Sequence, residues 1–550
     1  MKRHVGIAMA LLLGVSGISG CSKPSAGTAD SVPSSAASSQ QKINTSQFLT
    51  FVGNDGDSMD PQCTSGLYTV ALNVFDRLVE VQVNNDGSSS ITPSLARSWE
   101  ISPDGLSYTF TLQEHVKFSN GSDLTSSDVR YTLTRLLTHP DAVNKDIAMA
   151  ILGADALRSN EADTLEGFRE IDDTQFVITL KEPYAAFLAN LSSPGASILD
   201  EETTEKAGER FGRESEVTIG TGPFVFKEWN KGYDLVMTAN PDCWSGAPRC
   251  KGLKMLFVED PEAQRLMFER GELDILDLEG LSTDAEYFVN GDIYQPYLHQ
   301  GPRVGISYIA LNESIEPLDD VRVRTALQQS LDRQLLLEAV YSGRGTLENG
   351  ILPHGLIGYN PNLPAIPYDP DGAKKLLKEA GWDDGFTMNI SVEKSDYTGY
   401  SELLTLVSAM WEKIGVKTEI SVVEDEAFYE SRKKGALSCY TSTWSADFND
   451  PDNFMYTFFG TPENTFGRSL CYGDTSVMDR VSHARSIVNE AERIKEYQEL
   501  EEIIVQKDAA WIPLYSRDHY FVVSKRVEGF KVSWNGWSSN RYSDVAVLET

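Results

Sequence analysis

Between Trp444 and Asn453 the chain reads Trp-Ser-Ala-Asp-Phe-Asn-Asp-Pro-Asp-Asn, which gathers Asp447, Asp450 and Asp452 beside an indole. Acids at close spacing suggest a calcium loop. The spacing here lacks the one-three-five ligand pattern, the glycine and the distal glutamate that such a loop needs. A structural reading is a capped turn, with Asp450-Pro451 starting the next helix. Other catalytic chemistry has little support. None of the seven histidines falls in a His-x-His, His-Glu-x-x-His or Cys-x-x-Cys context, so no zinc site is expected. Walker and dinucleotide fingerprints are missing as well. No cofactor or metal is expected, and any energy source must sit in a partner.

Six cysteines divide into two groups. Cys21 follows Lys2-Arg3, a short apolar run from Val5 to Leu13 and Ile18-Ser19-Gly20. That order is a signal peptide over 1–20, too short to span a bilayer permanently, which takes roughly 20 apolar residues. The residues before Cys21 resemble a bacterial lipobox, so Cys21 is the expected lipidation site; an ordinary secretory signal with an incidental cysteine is the alternative. The remaining five are Cys63, Cys243, Cys250, Cys439 and Cys471. Export permits disulfides. Cys243 with Cys250 brackets a turn-rich segment, and Cys439 with Cys471 is the second expected pair, leaving Cys63 free. Pairing Cys63 with Cys243 or Cys250 instead stays open.

The elements that position these groups follow from patterning. Residues 21–47 carry almost no large apolar side chains and form a tether that cannot offset its ordering entropy. About 500 residues follow, enough for two lobes at roughly 100 to 250 residues per domain. The net charge of −33 is spread along the chain, which disfavours nucleic acid and anionic membrane surfaces as partners. Alternation over Tyr108–Leu112 and Phe176–Leu180 predicts half-buried strands. Helical spacing covers Val321–Tyr341, Asp371–Ala380, Tyr400–Ile414 and Glu490–Val505, with Gly381 and Gly415 as stops. A strand is predicted over Ile512–Tyr515. The mixture predicts an α/β fold, and no period of 20 to 50 residues points to a solenoid or propeller.

Longer motifs carry a family resemblance. Leu95-Ala-Arg-Ser-Trp99 through Asp104-Gly105, Tyr108–Leu112, Val116-Lys-Phe118 to Asp128-Val129, Gly220-Thr-Gly-Pro-Phe224, Asn240-Pro-Asp-Cys-Trp244, Leu311-Asn312 through Pro317-Leu and Val321-Arg-Val-Arg-Thr-Ala326 to Asp332-Arg333, and Trp511-Ile-Pro-Leu-Tyr515 resemble, in order, solute-binding family 5. This is the peptide- and nickel-binding family of ABC importers. The resemblance implies a two-lobed clamp of the periplasmic-binding-protein type II class. Its expected parts are lobe I at 48–304 with an extra subdomain at about 91–217, lobe II at 305–514, and a return segment at 515–550. The ligand closes the clamp by contacting both lobes, the closed form docks on a permease with ATPase subunits, and this chain catalyses nothing. It is expected to be a monomer outside the cytoplasm, held to the membrane only by the lipid.

The resemblance also supplies a third reading of the acidic cluster. In the family's peptide binders the acid of Trp-x-x-Asp holds the peptide ammonium, and the matching pair here is Trp444 and Asp447. An ungapped count back through Gly415 and Trp411 puts Lys394 where dipeptide binders carry a carboxylate-binding arginine; lysine keeps the charge and loses the bidentate fork. The same count puts Asp396 and Asp425 at aromatic pocket positions, which implies an acidic pocket for Lys- or Arg-bearing peptides. A solvated loop pair is the alternative for Lys394 and Asp396. Thr64-Ser65-Gly66 resembles the first-lobe ligand loop, whose backbone pairs with a peptide main chain, and Tyr68 and Trp444 are expected pocket walls. A plain turn, and aromatic residues that are simply core, are the alternatives. Function is therefore expected to be capture of di- or oligopeptides. The same fold binding a metal chelate, an opine, a sugar or a signalling peptide is the second reading, and a secreted enzyme or adhesin the third.

Overall fold

A computed structural model describes residues 42–64, 66–83, 89–281, 284–535 and 539–549. The signal peptide, Cys21 and the tether as far as residue 41 lie outside the described residues, as does Ser65.

The frame is a 12-stranded sheet that a single long strand, Trp511–Val523, carries from one lobe to the other. Its first part pairs antiparallel with Gly305–Leu311, from Ala310 opposite Trp511 to Ser307 opposite Tyr515. Its last part pairs with Leu298–Pro302 and with Ile275–Asp277. All seven residues of Gly305–Leu311 are buried, as expected where both faces of a strand are covered. Pro513 cannot donate to the ladder, and the register shifts between Ser307 and Tyr308 beside it, the irregularity at which a strand tolerates proline. The predicted Ile512–Tyr515 strand is thus the first part of a much longer one. Polar Ser516, Arg517, Asp518 and His519 continue it, and apolar residues return only at Tyr520 to Val523.

On the first-lobe side the sheet runs outward through Phe48–Val52, Gly252–Leu256, Asp234–Ala239 and Phe224–Asn230. A separate four-stranded antiparallel sheet of Ala96–Ile101, Ser107–Leu112, Gln175–Thr179 and Phe168–Glu170 forms the extra subdomain. Alternation drives it: Tyr108, Phe110 and Leu112 point inward, and Phe110, Phe176 and Phe168 stack with centroids 5.3 and 5.1 Å apart. Helix Ser126–Thr138 covers this sheet, started by a capping box between Thr125 and Asp128.

On the second-lobe side Gly305–Leu311 is followed outward by Cys439–Ser445, Phe386–Glu393 and Val416–Val423. The last three run parallel to one another, joined by helices Tyr397–Lys413 and Asp425–Lys433. Their carboxyl ends therefore lie along one edge, where open α/β sheets take ligands.

Four expectations change. The helix predicted over 321–341 is two, Val321–Gln329 and Arg333–Tyr341, because the Asp332 side chain accepts from Leu335 N and caps a new start. The helix predicted over 490–505 is α-helical through Glu502, then turns through a π-helical Ile503–Lys507. The tether ends before residue 47: Asn44 N donates to Val547 O at 2.6 Å, and Ile43 bridges Leu548. Finally, Cys63, Cys243, Cys250, Cys439 and Cys471 are all free thiols, so neither expected disulfide forms. Cys243 faces Thr221 O and Ser245, while Cys250 faces Gly252 O. Cys439 is sealed in the second-lobe core, and Cys471 sits in a left-handed turn at φ 48°.

Candidate functional site

Strand Cys439–Ser445 delivers Trp444 and Asp447 to the carboxyl edge. Trp444 pairs with Ile306 in the ladder, and Ala446 N donates to Val304 O at 2.8 Å, so the chain leaves the sheet just before Asp447. Asn453, itself buried, fixes both groups. Its Oδ1 accepts from Asp447 N at 3.0 Å and from Trp444 Nε1 at 3.3 Å, its carbonyl accepts from the same indole at 3.1 Å, and its Nδ2 donates to Asp447 Oδ2 at 3.1 Å. A single side chain thus sets the direction of the carboxylate and anchors the ring.

The other two acids of the cluster do structural work. Asp450 accepts both guanidinium nitrogens of Arg493 at 2.7 Å in a pair that is 3% and 5% exposed. Asp452 accepts from Arg485 Nε at 2.8 Å and from the Tyr184 hydroxyl at 3.0 Å. The Asp452 backbone N–H donates to Asp450 Oδ1 at 2.9 Å, a turn that leads into helix Asp452–Phe459, which begins after Pro451 without a side-chain cap. No group of acids, histidines and cysteines able to hold a metal occurs among the described residues.

Asp447 faces the first lobe. Ser193 Oγ lies 3.5 Å from its carbonyl oxygen, and its charge is felt by the Tyr68 phenol. Solvent reaches the residue, as it does a side chain on a cleft wall. Burial raises its carboxyl above the ordinary aspartate value, against the lowering effects of Asn453 and Arg468, and Asp146 adds a further rise. Such a carboxylate gains from a cation brought into the cleft. Tyr68, which begins helix Tyr68–Val74, is buried. Burial raises its phenol above the ordinary value, with Asn144 opposing.

Nearby contacts join the lobes. Ala185 N donates to Arg485 O at 2.9 Å, and the Arg485 guanidinium lies 4.8 Å from the Tyr184 ring centroid and 3.8 Å from that of Tyr456. A cavity of about 440 Å³ opens beside the first-lobe loop, lined among others by Gly66, Thr69, Met255 and Arg303. Gly66 is the expected site residue that reaches it.

The parallel strands bring the remaining expected residues to the same edge as Asp447, one strand-end apart. Lys394 follows Phe386–Glu393 and Asp425 follows Val416–Val423. Their environment differs from the one expected. Lys394 is exposed and donates to Glu424 at 2.5 Å, and this partner raises its ammonium above the ordinary lysine value. Asp425 accepts from Ser395 N at 3.0 Å, and its carboxyl is held below the ordinary value by that bond. Asp396 is an exposed residue at the helix start. In this structure the three form a solvated loop set closed by its own hydrogen bonds, because parallel pairing aligns Glu393 with Val423 and sets the following Lys394 beside Glu424. Asn453 is the residue that sequence reasoning missed, and its only signal was its place inside the acidic cluster.

Two lobes joined by shared strands, with a carboxylate at the strand ends of one facing the other, define a solute-binding clamp. Residues 90–466 match the family described as bacterial extracellular solute-binding proteins, family 5 Middle, and the chain belongs to that family. It is 32% identical over 488 residues to heme-binding protein A of Haemophilus influenzae, covering 85% of this chain and 86% of that protein. The dipeptide-binding protein of Escherichia coli is 27% identical over 496 residues, with 86% and 90% covered. Among solved structures, HbpA2 from Haemophilus parasuis superposes with a TM-score of 0.79 at 26% identity, covering 92% of this chain and 100% of that one.

Proposed function

We propose that the protein is the lipid-anchored substrate-binding component of an ABC importer, which captures small peptides between its lobes and hands them to a permease. The observation that carries this reading is Asp447: a solvent-reached carboxylate aimed by Asn453, on a residue whose carbonyl meets Ser193 of the other lobe, with its carboxyl raised above the ordinary value. That site suits a ligand ammonium. The relative from Escherichia coli named as a dipeptide-binding protein supports it. Anchoring through Cys21 rests on the N-terminal sequence, and a permease with its ATPase follows from the family. Asp447→Ala is expected to abolish heat on titration with free di- and tripeptides while the unfolding midpoint stays within a few degrees. Unchanged affinity would remove Asp447 from the site.

A second reading has a specific basis in the relative named as a heme-binding protein. Haem titration followed at the Soret band separates the two. Saturable haem binding that survives Asp447→Ala supports the second, and competition by peptides the first.

A further inference from the structure

The extra subdomain meets the second lobe beside the acidic cluster through Tyr184, which lies between strand Gln175–Thr179 and helix Phe187–Leu191. Its backbone is pinned to the subdomain sheet by Tyr108, whose hydroxyl donates to Tyr184 O at 3.2 Å. Asn190 Nδ2 donates to the Tyr184 hydroxyl oxygen at 3.0 Å. That leaves the hydroxyl proton for Asp452 Oδ2, 3.0 Å away in the second lobe. Arg485, at the end of helix Thr475–Ala484, donates from Nε to the other oxygen of the same carboxylate at 2.8 Å. One buried acid thus takes a donor from each lobe.

Arg485 closes the contact twice more. Its carbonyl accepts from Ala185 N at 2.9 Å, a backbone bond from lobe to lobe. Its guanidinium lies 4.8 Å from the ring centroid of Tyr184 and 3.8 Å from that of Tyr456, one ring from each lobe. Val488 extends the contact to the hairpin turn at Asp104-Gly105, where a Cβ on Gly105 would fall 2.7 Å from Val488 Cγ2. The strands that join the lobes run elsewhere, through Leu298–Leu311 and Trp511–Val523. Nothing in this contact is a ladder, so rotation about those strands would part Tyr184 and Ala185 from Asp452 and Arg485 as a unit. Tyr184 and Arg485 are only half-buried, and water can take each partner's place when they separate.

We infer that this contact is a latch by which the extra subdomain holds the two lobes together and sets the fraction of the protein that is closed. Its bonds run directly from protein to protein and need no solute. A solute that binds the closed form binds in proportion to the fraction already closed, so the latch raises affinity for whatever the clamp takes. Asp452 also precedes Asn453, the residue that aims Asp447, so the latch holds that turn against the first lobe. The inference does not depend on the peptide reading.

Hydrogen–deuterium exchange of the purified full-length protein, resolved to single amides by mass spectrometry, tests it at the Ala185 N–H, whose exchange reports opening of the contact. Tyr184→Phe removes the hydroxyl bond to Asp452 and keeps the ring. Loss of one bond to a charged group lowers the closing equilibrium about 10- to 100-fold, and exchange at Ala185 is expected to quicken by that factor. Amides inside each lobe, in strand Ser107–Leu112 and helix Thr475–Ala484, are expected to keep their natural rates. Val488→Asp works from the other lobe at a position 43% exposed, where the change leaves the core untouched. It sets a carboxylate against the Asp104-Gly105 turn and is expected to quicken Ala185 exchange at least about tenfold. An unchanged Ala185 rate in either variant overturns the inference. So does a rise matched by the amides inside the lobes, because that is loosening of the fold and not release of a latch.

Discussion

Replacing Asn453 by alanine tests whether the site is built or merely assembled from neighbours. The substitution removes the Nδ2 donor 3.1 Å from Asp447 Oδ2 and the Oδ1 acceptor 3.0 Å from Asp447 N, but it keeps the backbone carbonyl that holds Trp444 Nε1 at 3.1 Å. A hydrogen bond to a charged group contributes about 1.5–3 kcal/mol, and an enclosed N–H left unpaired costs about 1–3 kcal/mol. The folded protein should therefore lose about 2.5–6 kcal/mol of stability, read by denaturant unfolding of the second lobe. The carboxylate, no longer held from two sides, must be ordered by the ligand, so peptide affinity should fall at least about tenfold, or 1.4 kcal/mol, with the indole still in place by fluorescence. Calorimetry with Ala-Ala measures it. Affinity within twofold of the natural protein would refute the bracing role, and a shifted Trp444 emission would show that the indole was not independently anchored.

Three other expectations concern titration and buried charge. Because burial raises the Asp447 carboxyl and only its ionised form attracts an ammonium, peptide affinity should be flat above its pKa and fall on acidification, starting at a higher pH than an ordinary aspartate would give; calorimetry from pH 4 to 7 reads this. Glu348 and Glu501 are buried acids in the second lobe, pushed up to about 7 and about 8 chiefly by burial. The folded state binds their protons more tightly than the unfolded state, so their contribution is present below about pH 4.5 and is lost as pH rises toward 8. Glu501→Gln, which keeps the acceptor for Ile351 N and Leu352 N, should flatten that slope and raise the unfolding midpoint at pH 8. Arg493→Met strands the Asp450 carboxylate in a buried site and should cost about 3–5 kcal/mol, seen as a lower denaturation midpoint.

Much of this architecture was legible because it is local. Alternation gave a strand over Tyr108–Leu112, observed as Ser107–Leu112, and Gly381 and Gly415, both at φ 93°, marked helix ends. Trp444 and Asp447 were singled out by the family resemblance, which names a Trp-x-x-Asp motif. What escaped depends on partners far away in the chain. Asp450 and Asp452 read as one acidic cluster with Asp447, yet arginines 33 and 43 residues later claim them and leave Asp447 apart. Lys394 reached the right sheet edge by counting, but its ion pair with Glu424 comes from parallel pairing, which spacing along a single strand does not encode. The Cys243–Cys250 pair failed because closeness in sequence does not bring two Sγ atoms face to face, and Cys439 is sealed in the second-lobe core.

The central claim is that the cleft holds a small peptide by its ammonium at Asp447. Native mass spectrometry of the protein purified without unfolding, followed by release and sequencing of whatever occupies the cleft, tests it most directly. The account predicts short peptides with free amino termini that are absent from the Asp447→Ala protein. Haem or another non-peptide solute, retained equally by both proteins, would contradict it.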